Sequence, residues 1–170
     1  MKKTLPVFIL FLAFSGAASA QLVHVDGSKT VGISAGIVKD GLNLSARATF
    51  YQKNNLAYRV SLEYERLSFT LSKAQLIQTN PELVYTFAYA GEKVYFNAKA
   101  GLLAGVEYLT NTVLDRQQNA FFLGETIGLG AEYYLSGRVM INLDVDQRFI
   151  QLSKLGSTSF IARLGINYNF

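Results

Sequence analysis

The chain has 170 residues, half of them hydrophobic, with sixteen basic and twelve acidic residues, one histidine and no cysteine. That length makes one domain, and the lack of cysteine excludes both a disulfide framework and a lipid-bearing cysteine anchor. The positive balance comes without any basic run, so direct nucleic-acid binding has no support.

Met1 to Ala20 opens with Lys2 and Lys3, continues through the apolar run Leu5 to Phe14, and ends in small residues at Ala18 and Ala20. This order is that of a cleaved secretory signal peptide, and the run is too short to cross a bilayer as a helix, which needs about 20 residues. Removing two of the sixteen basic residues leaves fourteen against twelve acidic, a net charge of +2. Residues 21–27 form a short leader, and 28–170 read as a single β-barrel domain.

From Ser28 onward the side chains alternate between apolar and polar, the period of a strand with one face buried or lipid-facing. The first segment runs about Thr30 to Val38 and turns at Lys39-Asp40-Gly41, where an Asp-Gly pair suits a tight hairpin. The second, about Leu42 to Gln52, ends at Lys53-Asn54-Asn55. The third, about Leu56 to Phe69, sets Leu56, Tyr58, Val60, Leu62 and Tyr64 against Arg59, Ser61, Glu63 and Glu65; Arg66 breaks the apolar row where an interfacial position tolerates it. Thr70 to Ala74 reads as a loop. The fourth segment, about Gln75 to Tyr89, contains Pro81, which cannot donate to a ladder and predicts a bulge or irregular pairing.

Ala90-Gly91-Glu92-Lys93 is the next turn. The fifth segment, about Val94 to Leu109, alternates most regularly, and Thr110 to Gln118 reads as the longest loop. In the sixth, about Asn119 to Leu135, strict parity puts Glu125 on the apolar face, so it belongs near the outer rim or beside a bulge. Ser136-Gly137-Arg138 leads to a seventh segment from Val139 to Phe149, and Gln151 to Gly156 links it to the terminal stretch Ser157 to Phe170. That stretch closes on Leu164, Ile166, Tyr168 and Phe170, an ending that resembles the terminal strand by which outer-membrane barrels are recognised by the assembly machinery and inserted. Eight segments with short links predict an all-β, eight-stranded antiparallel up-and-down barrel.

Alternation alone leaves open which face is outside, since a lipocalin-like barrel hides its apolar side and a membrane barrel shows it to lipid. Lysine placement favours the membrane barrel: Lys29, Lys39, Lys53, Lys73, Lys93 and Lys154 lie in links or at segment ends, and only Lys99 is mid-strand. Phe50, Tyr58, Phe87, Phe96, Tyr133, Tyr168 and Phe170 gather at one end of the segments, with Tyr108, Phe121, Phe149 and Phe160 at the other. Ten residues at about 3.3 Å each and a tilt near 40° span about 25 Å, the height of an outer-membrane apolar band. Both termini and the links at Lys53–Asn55, Ala90–Lys93 and Ser136–Arg138 then face the periplasm, and outer-membrane lipid is the first partner.

Catalytic chemistry has little to stand on. His24, the one histidine, precedes the first strand, so no Ser-His-Asp set can be assembled inside a barrel, and imidazole or thiolate metal ligation is equally unsupported. Asp144 and Asp146, two apart on one face, could hold a cation or act as an acid/base pair. They fit better in a lumen ion-pair set with Arg47, Arg59, Glu63, Glu132, Arg148 and Arg163, because buried charges need partners. Gly101, Gly105, Gly128 and Gly130 relieve crowding in a narrow barrel and do not form a phosphate loop. An eight-stranded barrel is filled by its own side chains, so no open pore, cofactor or enzymatic activity is expected.

V-S-L-E-Y-E-R at Val60 to Arg66, N-A-K-A-G-L-L-A-G-V-E at Asn97 to Glu107, G-A-E-Y-Y-L-S-G-R-V at Gly130 to Val139 and the closing I-N-Y-N-F together resemble the conjugal transfer protein TraO family. The resemblance covers most of the mature chain in order; the segment with Pro81 and the short first outer link do not match. It implies an outer-membrane component of the transfer apparatus of a conjugative transposon, structural in role, in contact with other transfer proteins and without catalytic residues. A general small outer-membrane barrel for envelope integrity or surface contact, and a soluble periplasmic ligand-binding barrel, are the alternatives.

Overall fold

The computed structural model describes residues 27–69, 72–111, 116–153, 155 and 158–170. The expected signal peptide, most of the leader including His24, and parts of the links at 70–74, 110–118 and 151–156 lie outside the described residues. Eight strands close in sequence order: β1 (Lys29–Val38), β2 (Gly41–Tyr51), β3 (Leu56–Ser68), β4 (Ser72–Ala90), β5 (Val94–Asn111), β6 (Arg116–Tyr134), β7 (Val139–Gln151) and β8 (Thr158–Asn169). Every neighbouring pair is antiparallel, and β8 pairs back onto β1 from Thr30↔Asn169 to Val38↔Ile161. No open edge therefore remains around the body of the barrel.

The register fixes the shape. Stepping across paired residues from Lys29 leads through Phe50, Tyr58, Leu83, Ala100, Ile127 and Gln147 to Phe160, one position beyond the Val38↔Ile161 pair. One circuit thus climbs about ten residues, and with a rise of 3.3 Å and a strand spacing of 4.8 Å this gives a tilt of about 40°. The turns at the termini end are tight: Asn54 and Asn55 both take φ 62°, and Gly91 takes φ 61°. At the opposite end Asp40 supplies the left-handed residue, φ 67°, of the β1–β2 turn.

The apolar row faces outward. Leu164, Ile166 and Leu102 are 60%, 48% and 63% exposed, whereas Arg163 and Asp144 are 3% and 2% exposed. This is the inverse of a ligand-binding barrel in water, and it removes the soluble lipocalin-like reading. With the 40° tilt, Phe50, Tyr58, Tyr85, Phe96, Tyr133 and Tyr168 fall in one belt near the termini, and Tyr64, Phe149 and Phe160 form a second about 20 Å further along the axis. The same arithmetic sets Tyr108 and Phe121 about 10 Å beyond the second belt.

Several local expectations shift. Pro81 faces outward and pairs in register with Val60; the β4–β5 ladder omits Asn80 and Pro81 but resumes unchanged at Glu82↔Gly101. The irregular pairing expected at Pro81 is thus present as missing rungs, while the register shift lies between Thr86 and Ala88, where Phe87 is the extra residue. Pro81 costs a rung, but a two-residue gap keeps side-chain parity and so needs no slip. Glu125 is exposed, opposite Leu102 and Phe149 in an unbroken ladder, so it lies at the rim of the second belt and not at a bulge. The links at 70–74 and 110–118 are largely ladder, since β4 starts at Ser72, β5 continues to Asn111 and β6 begins at Arg116. As a result β4, β5 and β6, at 18 to 19 residues, rise past the other strands at that end.

Candidate functional site: the charged lumen and its two plugs

Inward parity places Arg47 and Ser45 on β2, Arg59, Glu63 and Glu65 on β3, Gln78 and Glu82 on β4, Lys99 on β5, Glu132 on β6, Asp144, Asp146 and Arg148 on β7, and Arg163 on β8. All of these are buried. The eight charged residues singled out from sequence therefore meet in one lumen, joined by Glu65, Glu82, Glu107 and Lys99, which the sequence reading left out of the set.

Two nodes organise them. Asp144 accepts from Arg47 Nη1 at 2.5 Å, Asn142 Nδ2 at 2.6 Å, Lys99 Nζ at 2.7 Å and Arg59 Nη1 at 3.4 Å. Arg59 also donates through Nη2 to Glu132 Oε1 at 2.9 Å, and Glu132 accepts the Tyr51 hydroxyl at 3.2 Å. In the second node Arg148 donates to Glu63 and Glu65, and Arg163 donates to Glu63 and Asp146. Asn43 and Gln78 each donate to both glutamates, at 3.1 Å and 3.0 Å respectively. Lys99 joins the nodes, because its Nζ also stands 2.7 Å from Asp146 Oδ1.

Charge-assisted bonds of this kind are strong when desolvated, and each buried ion needs its counterion to stay ionised. Asp144 and Asp146 are thus engaged by guanidinium and ammonium groups on four other strands, an arrangement that leaves little of either carboxylate for cation binding or proton transfer. Glycine makes room for them: a Cβ on Gly128 would lie 2.0 Å from Asp146 Oδ1.

Apolar residues cap the network at each end, which alternation did not reveal. Near the termini Tyr51, Ala57, Val84, Tyr95, Tyr134 and Met140 pack together, with Tyr95 and Tyr134 edge to face at 5.5 Å. At the other end Leu67, Ala74, Leu76 and Phe122 form a second plug, joined by Val38, Leu109, Ile150 and Leu155. Ser153 and Leu155 belong to the β7–β8 link, and both turn toward the barrel interior: Ser153 Oγ is 2.7 Å from Glu107 Oε2, and Leu155 touches the plug.

On the outer surface Leu164, Ile166 and Tyr168 face outward on β8, and the Tyr168 and Phe170 rings stack at 6.5 Å. The Phe170 N–H donates to the Lys29 carbonyl at 3.0 Å, so the last residue is stitched to the first strand.

A closed eight-stranded antiparallel barrel, apolar outside and charged inside, is the fold of small outer-membrane barrels. Solved structures of that kind are similar to it. The N-terminal β-barrel domain of Pseudomonas aeruginosa OprF aligns with a TM-score of 0.65 and 19% identity, covering 85% of this chain and 98% of that one. Ail, the attachment invasion locus protein of Yersinia pestis, gives 0.61 and 14%, covering 86% and 100%. Neisserial surface protein A gives 0.59 and 16%, covering 85% and 98%. No family model and no curated protein matches the chain. The resemblance to the conjugal transfer family accordingly rests on its strand motifs alone.

Proposed function

We propose that this protein is a structural, non-conducting barrel of the bacterial outer membrane, exported by cleavage after Ala20, folded by the barrel-assembly machinery through its Leu164-Ile166-Tyr168-Phe170 ending, and serving envelope integrity or surface contact. One observation carries this reading: an apolar belt between two aromatic girdles surrounds a lumen closed by ion pairs and two apolar plugs. Exposed apolar surface on this scale is stable only against lipid, and among the described residues Asp144, Asp146 and Glu63 are each held by at least two cations. The termini and their tight turns face the periplasm, and β4–β6 reach outward.

The test is fractionation followed by bilayer recording. The protein stays with membranes through a high-salt wash, leaves only in detergent, and shows heat-dependent gel mobility. Purified protein in planar bilayers gives no large, steady conductance; a stable open channel would refute the closed lumen.

The V-S-L-E-Y-E-R, N-A-K-A-G-L-L-A-G-V-E and G-A-E-Y-Y-L-S-G-R-V motifs favour a second, narrower reading, in which the barrel anchors the transfer apparatus of a conjugative transposon and contacts other transfer proteins. Deletion of the gene from such an element then lowers mating frequency. Undiminished mating leaves only the general envelope role.

A further inference from the structure

We infer that the β1–β4 side of the outward-facing end is a binding site for a phosphate-bearing lipid of the outer leaflet. The inference rests on the outer-membrane reading above.

The charge comes first. Arg66 lies on the outward face of β3, opposite Leu42 on β2 and Gln75 on β4, one pleat beyond the girdle residue Tyr64. Lys73 pairs with Ser68, two residues further along β3. Lys39 occupies the β1–β2 turn, which is fastened to the same strand end, since the Ser68 N–H donates to the Asp40 carbonyl at 2.9 Å. With adjacent strands about 5 Å apart and about 3.3 Å per residue along them, Lys73 stands roughly 8 Å and Lys39 roughly 12 Å from Arg66 at the backbone, so three exposed cations border one rim beyond the Tyr64 girdle. Among the described residues none of the three has an ion pair. Four acids fall within residues 27–90, and Glu63, Glu65 and Glu82 are buried in the lumen, which leaves Asp40 alone beside the cluster. On the far side of the barrel the outward face carries an acid, Glu125, at the level of the second belt.

The shape comes second. Below the cluster a furrow of about 710 Å³ runs diagonally across the lipid face from Ile141 on β7 and Leu164 on β8 to Tyr64 on β3, floored by Ala35 and Ala46 and walled by Leu44 and Leu62. Tyr64 pairs with Leu44, and the next outward pair along these strands is Arg66 with Leu42. The furrow therefore ends where the cations begin. An amphiphile with an apolar chain and an anionic head matches both parts; a free anion would use only the upper one, and a neutral lipid only the lower.

The experiment uses the full mature barrel refolded in neutral detergent, with heat-dependent gel mobility and insertion into phosphatidylcholine vesicles measured first. Binding of diphosphoryl lipid A is then compared with its dephosphorylated form and with phosphatidylcholine, for the native chain and for the triple variant Lys39→Gln, Arg66→Gln, Lys73→Gln. The native barrel prefers the diphosphoryl form, and the variant loses at least about tenfold in that affinity with insertion and neutral-lipid binding unchanged. Replacing Ala46 with Phe to fill the furrow weakens binding of the lipid without restoring or removing charge.

Equal binding by native and variant barrels that both insert would overturn the lipid site while leaving the envelope reading intact. Competition by inorganic phosphate at comparable affinity would overturn the lipid as occupant. A barrel that fails to insert at all would remove the outer-membrane reading and the site with it.

Discussion

Asp144→Asn is the sharpest probe of the lumen. The substitution keeps the volume of the side chain and removes one negative charge that faces three buried cations. Arg59 retains Glu132 at 2.9 Å and Lys99 retains Asp146 at 2.7 Å. Arg47 retains no ionic partner among the described residues, and its Nε and Nη2 already lack hydrogen bonds. The cost is therefore dominated by a single uncompensated guanidinium, about 3–5 kcal/mol for a buried pair broken on one side. Reversible urea unfolding in lipid vesicles, followed by tryptophan-free tyrosine emission or gel mobility, measures it. Replacing Arg47 with Met in the same chain removes the stranded charge and recovers most of the loss, so the two changes are strongly non-additive. If Asp144→Asn lost less than about 1 kcal/mol, the level of an exposed pair, or if the second change gave no recovery, the desolvated network would be the wrong description.

Other sites test the faces and the seam. Leu164→Arg places a cation on the lipid face near mid-height and destabilises the barrel by about 2–4 kcal/mol in vesicles, while the same change at exposed Leu135, in the β6–β7 turn, stays within about 1 kcal/mol. Gly128→Leu drives a side chain into Asp146 and prevents refolding to the heat-modifiable form, whereas Gly137→Ala, with open space around its Cβ, refolds normally. Deletion of Phe170 lowers the amount of assembled barrel in cells and leaves the spectrum of protein refolded in detergent unchanged, because a recognition signal acts before folding and not on the folded state.

Strand count, pairing order and the outward face could be read from the sequence because each rests on a local rule. Period-two alternation, with every strand-region lysine but Lys99 at a segment end or in a link, already distinguished lipid from water on the apolar side. The network partners were only half legible. Parity shows that Glu63 and Arg148 point inward, but their meeting across 85 residues is set by the climb of the register around the barrel, which no single strand contains. The plugs were hidden for a different reason: Leu76, Tyr95, Phe122 and Tyr134 are apolar residues in rows expected to be polar, and at the barrel ends the lumen stops demanding charge. The lengths of β4–β6 were missed because beyond the girdle neither face meets lipid, so Thr110, Asn111 and Gln118 read as a loop although they sit in a ladder.

The arrangement of charge and plug follows from what lipid cannot supply. Inside a membrane the outward leucines and isoleucines gain little by folding, since the acyl chains around them are as apolar as a protein core. Cohesion must come from the closed hydrogen-bond ladder and from the lumen. A lumen wide enough for eight strands but lined by ionised groups would fill with water, and water at a dielectric near 80 reduces each pair at 4 Å to about 1 kcal/mol. Tyr95, Tyr134 and Met140 at one end, and Leu76 and Phe122 at the other, keep bulk solvent from the Asp144 and Glu63 nodes and so preserve their strength. On the proposed reading the interior holds the cylinder shut, and the chemistry left for partners lies on its outer wall and at its two rims.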